Sequence, residues 1–226
     1  MQIWKSFLNL FLESNCPLCQ RPTSQEFCEY CNKQLQKCCL TNCLCSKGNS
    51  VPVIAWGRYG GTLKRAIAAM KYDNHPEIAR PFGEWLGEVW LQNYGNQTSL
   101  IVVPIPMHPL KQKQRGFNQA ALIAQSFCQT TGLKLKLNGL QRVKATEALF
   151  GLSPTERKET LTQAFEIGKD FRNPPNVPVI LVDDIYTTGT TVKSAMETLS
   201  KSGIVVSQIA AVAVPSKAKY QKNGES

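Results

Sequence analysis

The chain has 226 residues, an apolar fraction of 42% and 26 basic against 16 acidic residues, for a net charge of +10. That length holds one sizeable domain with a small appendage, and the mixed composition excludes a disordered or collagen-like chain. No run approaches the roughly eighteen apolar residues of a membrane-spanning helix, while the spread basic excess suits either nucleic acid or a polyphosphate ligand.

Near the start, Ile3, Trp4, Phe7, Leu8, Phe11 and Leu12 fall on one helical face, so a helix docked on the rest of the protein is expected, with a membrane surface or a partner as the alternative seat. One lysine, an interrupted apolar stretch and Glu13 make a poor export signal, which points to the cytoplasm. Eight of the nine cysteines lie between Cys16 and Cys45. Cys16-x2-Cys19 and Cys28-x2-Cys31 are two knuckles of the kind that supply four thiolates to a tetrahedral zinc ion. A disulfide framework would need an oxidising compartment. Cys38, Cys39, Cys43 and Cys45 are compressed into eight residues; they could hold a second zinc, although adjacent ligands fit a tetrahedron poorly. Cys128, in a helical stretch, reads as a small buried apolar residue.

Residues 46–50 read as a linker, dividing an N-terminal helix and zinc module (1–50) from a larger domain (51–226). A strand is predicted over 54–59 and ends at Gly60-Gly61, with Thr62 as the cap of a helix through Leu63, Ile67 and Met70. A second helix runs from about Pro81 to Leu91, with Phe82, Trp85, Leu86, Val89 and Trp90 as its core face, and His75 precedes it in a solvated turn. Residues 100–105 are a buried strand, stopped by the rigid turn Pro104-Ile-Pro106 before basic Lys111, Lys113 and Arg115. A helix over 117–130 and a short alternating strand over 133–137 follow. From 141 to 160 the apolar rhythm is lost and Arg142, Lys144, Thr146, Glu147 and Arg157 crowd a polar stretch. A strand over 164–167 and a proline-stiffened connector over 173–178 lead into the most informative segment.

That segment is Val179-Ile-Leu-Val-Asp-Asp-Ile-Tyr-Thr-Thr-Gly-Thr-Thr191. Val179 to Val182 suit a strand buried on both faces of a parallel sheet, and a helix is predicted from Thr190 with Val192, Ala195, Met196 and Leu199 on one face. The loop between them joins the carboxyl end of a strand to a helix start, where open α/β sheets bind ligands. Helix-start N–H groups, Gly189 and the hydroxyls of Thr187, Thr188, Thr190 and Thr191 suit a phosphate. Asp183 and Asp184 would repel that phosphate but accept sugar hydroxyls or a hard cation. A phosphorylated ribose satisfies both halves. The Walker spacing and its lysine are absent. A last strand over 204–214 alternates buried and exposed positions, and the Lys-rich tail from Ser216 reads as disordered. The order of elements gives an α/β fold with a mainly parallel sheet flanked by helices.

The motif resembles the phosphoribosyl pyrophosphate motif of type I phosphoribosyltransferases. The wider chain resembles the ComF family, the competence-associated branch of that fold, with its N-terminal zinc module. The cysteine cluster, Ala66-Ile-Ala-Ala-Met-Lys-Tyr72, Pro104-Ile-Pro106 with Arg115-Gly-Phe-Asn-Gln119, and Lys144-Ala-Thr-Glu-Ala148 running into Glu156-Arg157 carry that likeness. The resemblance implies binding of phosphoribosyl pyrophosphate with Mg2+ and transfer of the phosphoribosyl group to an unidentified acceptor. Asp183 and Asp184 would hold the ribose hydroxyls, and Thr187 to Thr191 the 5′-phosphate. The turn after the strand over 100–105, with Arg115 and His108, would meet the diphosphate. A loop carrying Arg142 and Lys144 would close over it and exclude water. Purine-salvage members of the fold carry an aspartate where this chain has Thr187, which argues against a hypoxanthine or guanine acceptor.

A second reading is a non-catalytic nucleic-acid-binding or scaffolding component of DNA uptake that uses the site as a sensor, with single-stranded DNA or competence-machinery proteins as partners. Against it, the zinc region lacks a dense basic-aromatic stripe. A zinc or redox sensor rests on the crowded cysteines alone.

Overall fold

The computed structural model describes residues 14–41, the backbone of 44 and 45, and residues 51–95, 99–144 and 164–215. Strands β1 (Ser14–Asn15) and β2 (Pro22–Thr23) pair as a small hairpin, and α1 (Glu29–Gln36) follows. Then come β3 (Leu44–Cys45), β4 (Val53–Tyr59), α2 (Gly61–Tyr72), α3 (Ala79–Tyr94), β5 (Ile101–Pro104), α4 (Pro109–Arg115) and α5 (Gln119–Thr131). The chain continues through β6 (Lys134–Leu135), β7 (Leu140–Arg142), β8 (Phe165–Ile167), β9 (Val179–Ile185), α6 (Thr190–Lys201) and β10 (Val206–Pro215). The expected N-terminal helix, the 46–50 linker, most of the 141–160 stretch and the tail lie outside the described residues.

One six-stranded sheet has the order β3-β4-β10-β9-β5-β6, with every pairing parallel except the antiparallel edge β3–β4. The unbroken Val-Ile-Leu-Val run of β9 forms because helices cover both faces of the sheet. Side chains alternate across it. Ile180 and Val182 join the core under α3 and α5, while Val179 and Leu181 join the core under α6. The chain is thus an α/β protein with a five-stranded parallel sheet flanked by helices.

Several sequence expectations shift by tertiary context. Thr62 lies inside α2, which Gly60 precedes without a side-chain cap. The stretch 109–115 is helical, ended by Gly116 at φ 85°. Residues 164–167 do not extend the main sheet: β8 pairs antiparallel with β7 as a separate ribbon, so the polar stretch begins in a strand. The short strand expected over 133–137 reduces to two residues. Strand β10 is buried along nearly its whole length, because it sits between β4 and β9 rather than at an edge. His75 shares a hydrogen bond of 2.7 Å with Glu77 rather than standing free in water.

The cysteine module is seated on α3. Cys16, Phe27, Cys28, Cys31 and Leu35 belong to the same core as Phe82, Leu86 and Trp90. Phe27 stacks on Trp85 at 6.3 Å, and Trp85 on Trp56 at 4.7 Å. Arg80 forms an ion pair with Glu26, and Arg65 Nη2 donates to the Leu18 carbonyl at 2.9 Å.

Helices α3 and α5 meet where Gly83 lets the backbones approach. A Cβ at Gly83 would stand 2.5 Å from the Ile123 carbonyl oxygen and 2.8 Å from the Phe127 nitrogen. Gly83→Ala is therefore expected to destabilise the fold by about 1–3 kcal/mol, since backbone cannot yield as a side chain can. Urea unfolding measures this, and an unchanged midpoint would contradict it.

Candidate functional site

The alternation that buries β9 also sorts its two acids. Asp184 follows Ile180 and Val182 onto the α3–α5 side, and Asp183 follows Val179 and Leu181 onto the α6 side. Asp184 is 4% exposed. Its Oδ2 pairs with Lys71 Nζ from the end of α2, and Gln119 Nε2 from the first turn of α5 donates to its Oδ1 at 3.4 Å. Arg115 Nη1 donates to Gln119 Oε1 at 2.6 Å, and the same guanidinium lies 5.6 Å from the centre of the Tyr72 ring. A chain of contacts thus runs from α4 through α5 to the strand-end acid.

Asp183 is half-buried and accepts the Asp184 N–H at 2.8 Å. Burial pushes its carboxyl well above the usual range, and the neighbouring Asp184 pushes it further; that backbone N–H and Lys71 act the other way. An acid whose folded pKa is raised takes up protons on folding. Stability should fall as pH rises from about 4, the unfolded value, through the folded one. Asp183→Asn, uncharged throughout, is expected to be more stable than wild type at neutral pH, with the gap closing toward pH 4. Thermal unfolding across that range tests this; a gap that widens on acidification would refute it.

The loop after the acids turns on Gly189, whose φ of 76° suits glycine. A Cβ there would lie 2.5 Å from the Tyr186 hydroxyl. Gly189 brings no capping side chain to α6; the Thr190 N–H donates to Thr188 Oγ1 at 3.5 Å, and the N–H groups beyond it in the first turn can serve an anion. Thr187, Thr188 and Thr190 are exposed and Thr191 is half-buried. Thr188 and Thr190 share a hydroxyl hydrogen bond of 2.8 Å.

The turn after β5 lies beside this loop, because the Ile105 N–H donates to the Val182 carbonyl at 2.8 Å. Asn118 fixes the turn from below: its Nδ2 donates to the Ile105 carbonyl at 3.1 Å while its Oδ1 caps α5. His108 Nδ1 accepts from the Leu110 N–H at 3.4 Å. The three basic residues expected near a diphosphate are not brought to one place. Arg142 sits on β7, 5.4 Å from the Phe165 ring centre, and lines a cavity of about 490 Å³ with Pro106, His108 and Asn118. Arg115 lines a different cavity of about 430 Å³, with Lys71, Tyr72 and Lys111. Lys144 follows the ribbon, and Thr146, Glu147, Glu156 and Arg157 lie outside the described residues.

Lys71, Tyr72 and Gln119 are site-bordering residues that sequence reasoning did not single out. Their signal was present, since Met70-Lys-Tyr72 and Asn118-Gln119 are parts of two of the quoted blocks. A lysine at the end of an amphipathic helix reads as solvated until the fold brings an acid to it.

The Sγ atoms of Cys16, Cys19, Cys28 and Cys31 lie within 4.8 Å of one another. A tetrahedral zinc with bonds of 2.3 Å sets its sulfurs about 3.8 Å apart, and the Cys19–Cys28 separation is 3.4 Å. The quartet therefore fits zinc. Cys28 is held down to about 7, chiefly by a hydrogen bond to the Cys31 backbone, which favours the metal-binding thiolate. Burial and the neighbouring thiols push Cys31 up. Cys38 and Cys39 stand outside the quartet, Cys38 half-buried and Cys39 exposed. Cys43 and the side chain of Cys45 lie outside the described residues, and with them the question of a second zinc. Cys128 is half-buried against the α3–α5 core, and burial pushes its thiol up to about 12. Among the described residues no helix is long and apolar enough to cross a membrane.

Comparison with known proteins places these features. The family model described as "Phosphoribosyl transferase domain" matches residues 68–225. Competence protein F of Haemophilus influenzae is 30% identical over 209 residues, covering 89% of this chain and 91% of its own length. The DNA utilization protein YhgH of Salmonella typhimurium is 27% identical over 87% of this chain and 82% of its own length. Competence protein ComFC of Bacillus subtilis is 26% identical over 83% and 72%. Among solved structures, the glutamine phosphoribosylpyrophosphate amidotransferase of B. subtilis, complexed with ADP and GMP, aligns with a TM-score of 0.38 at 14% identity. That alignment covers 60% of this chain and 26% of that one.

Proposed function

Because this chain belongs to the phosphoribosyl transferase domain family and to its competence protein F (ComF) branch, we propose that it binds phosphoribosyl pyrophosphate and transfers the phosphoribosyl group to an acceptor. One observation carries the reading: a buried acid fixed by Lys71 and Gln119 stands at the end of a parallel strand, a short loop before a helix whose N-cap is a glycine with no side chain to offer. The 5′-phosphate would take the N–H groups and hydroxyls of Thr187, Thr188, Gly189, Thr190 and Thr191. Asp183 and Asp184 would accept the ribose hydroxyls and lower the energy of positive charge developing at C1. The diphosphate would lie toward the 105–108 turn, with Arg142, which lines that turn's cavity, and Lys144 as its cationic partners. In the transfer, the bond from C1 to the diphosphate breaks with its electron pair leaving on oxygen, while the acceptor's lone pair bonds to C1. Thr187 takes the position of the purine-salvage aspartate, so the acceptor is expected to be neither hypoxanthine nor guanine.

The acids also fit Mg2+. They are adjacent hard oxygen donors at one strand end, the ligand chemistry that Mg2+ takes. Bound there, Mg2+ would neutralise diphosphate charge and make that group a better leaving group. Zn2+ on Cys16, Cys19, Cys28 and Cys31 would be structural, since all four ligand positions are filled by protein. The names of the relatives support a place in competence or DNA utilization, and a cytoplasmic location goes with that reading.

Calorimetric titration of the full chain with phosphoribosyl pyrophosphate, with and without Mg2+, tests the proposal. Saturable one-to-one binding strengthened by Mg2+ is expected, and no binding in either condition would sink it. The relatives' names and the +10 charge also favour a second reading, a DNA-handling role in which the site senses its ligand. Titration with single-stranded DNA at two salt concentrations addresses it, a steep loss of affinity with salt being the expected signature.

A further inference from the structure

The cavity between the end of α2 and α4 has a definite chemistry. Its volume is about 430 Å³, and Lys71, Tyr72, Asn74, Lys111, Gln114 and Arg115 line it. We propose that it is the acceptor pocket, and that it takes a flat ring bearing a carboxylate or phosphate; the inference rests on the phosphoribosyl reading of Asp183 and Asp184.

Charge is the first argument. Three of the lining residues are cations, and none of the described lining residues is acidic. Lys71 balances the adjoining Asp184, so an anionic group here would rest chiefly on Lys111 and Arg115. The second argument is shape. Tyr72 is a large aromatic left 75% exposed, with the Arg115 guanidinium 5.6 Å from its ring centre. With the guanidinium over one face of the ring, the exposed Tyr72 offers its other face, on which a planar molecule stacks while its anion meets the neighbouring cations. Asn74 and Gln114 add neutral donors and acceptors for ring substituents. Asn74, at φ 57°, makes the left-handed turn that ends this wall. The volume lies within the range of small-molecule pockets, roughly 300–1,000 Å³.

Connection to the reacting centre is the third. Lys71 both lines the cavity and pairs with Asp184. An acceptor held here is therefore one side chain from the acid proposed to hold the ribose. Its ring nitrogen would bond to C1 as the diphosphate departs with the bonding electrons. A proton on that nitrogen, where there is one, would pass to the leaving diphosphate.

The competing occupant is the diphosphate itself, since Arg115 suits either, and the test separates them. The full chain is titrated calorimetrically with pyridine-3-carboxylate and its neutral amide, and with phenyl phosphate and phenol, inorganic phosphate serving as the control for the 5′-phosphate loop. Phosphoribosyl pyrophosphate with Mg2+ is titrated on the same samples. Wild type is compared with Tyr72→Ala, at an exposed position, and Lys111→Ala, at a half-buried one. At least one anionic probe is expected to bind tenfold or more tightly than its neutral partner, and whichever of the two does identifies carboxylate or phosphate. Both substitutions are expected to weaken it about tenfold, with phosphoribosyl pyrophosphate affinity changed less than twofold. If the substitutions weaken phosphoribosyl pyrophosphate and spare the probes, the cavity holds diphosphate and the proposal fails. If neither anion is preferred while phosphoribosyl pyrophosphate binds, the pocket proposal alone is overturned. Charge-selective probe binding without phosphoribosyl pyrophosphate binding would keep the anion pocket but remove its role as acceptor site.

Discussion

Asp184→Asn is expected to weaken phosphoribosyl pyrophosphate binding about 10- to 100-fold. The asparagine keeps the shape of the side chain but loses the charge, and a hydrogen bond to a charged group contributes about 1.5–3 kcal/mol. A stability effect accompanies this. Lys71 and Asp184 are 16% and 5% exposed at their side chains, and leaving one partner of such a pair alone costs about 3–5 kcal/mol. Loss of binding could then reflect loss of fold. The double variant Lys71→Met with Asp184→Asn removes both charges, and is expected to recover most of the stability without recovering the binding. Unfolding midpoints and calorimetry on the three proteins separate the effects. Full binding in a folded Asp184→Asn protein would remove the acid from the site.

Stripping zinc is expected to loosen more than the N-terminal module. Phe27 lies between the cysteine quartet and Trp85, and Trp85 stacks on Trp56 of the central sheet's β4. The quartet and α3 share one core, so a chelator should lower the melting temperature of the whole chain and shift tryptophan emission to longer wavelength. Zinc bound by Cys residues contributes folding free energy directly. Cys28→Ser should lose one equivalent of zinc by elemental analysis. A chelated protein with unchanged emission and melting would mean that the module folds without metal.

Much of the fold was legible because its signals are local. The Val-Ile-Leu-Val run can satisfy its burial only between two layers of helices, and the Phe82–Trp90 stripe spells a helix with one buried side. Where reading failed, a non-local partner decided the outcome. The β10 segment looked half-exposed because its sequence does not reveal that β4 would return from the N-terminal side to cover it. The β8 segment looked like a strand of the main sheet, yet its partner is β7. Thr62 has the chemistry of a cap, but the helix starts before it.

The site divides in the same way. Asp183, Asp184 and the Thr187–Thr191 loop are contiguous, so it is legible along the chain that two carboxylates and a phosphate-type loop share a strand end, and that two CxxC knuckles can meet as one quartet. Which acid is buried depends on the packed fold, since the pleat sends Asp184 toward Lys71 and Gln119, residues 113 and 65 positions earlier. It also separated Arg115 from Arg142 into different cavities and joined Lys71, Tyr72 and Lys111 into one. Those placements depend on how helices stack across a sheet, and side-chain contact over such sequence distances leaves no local trace.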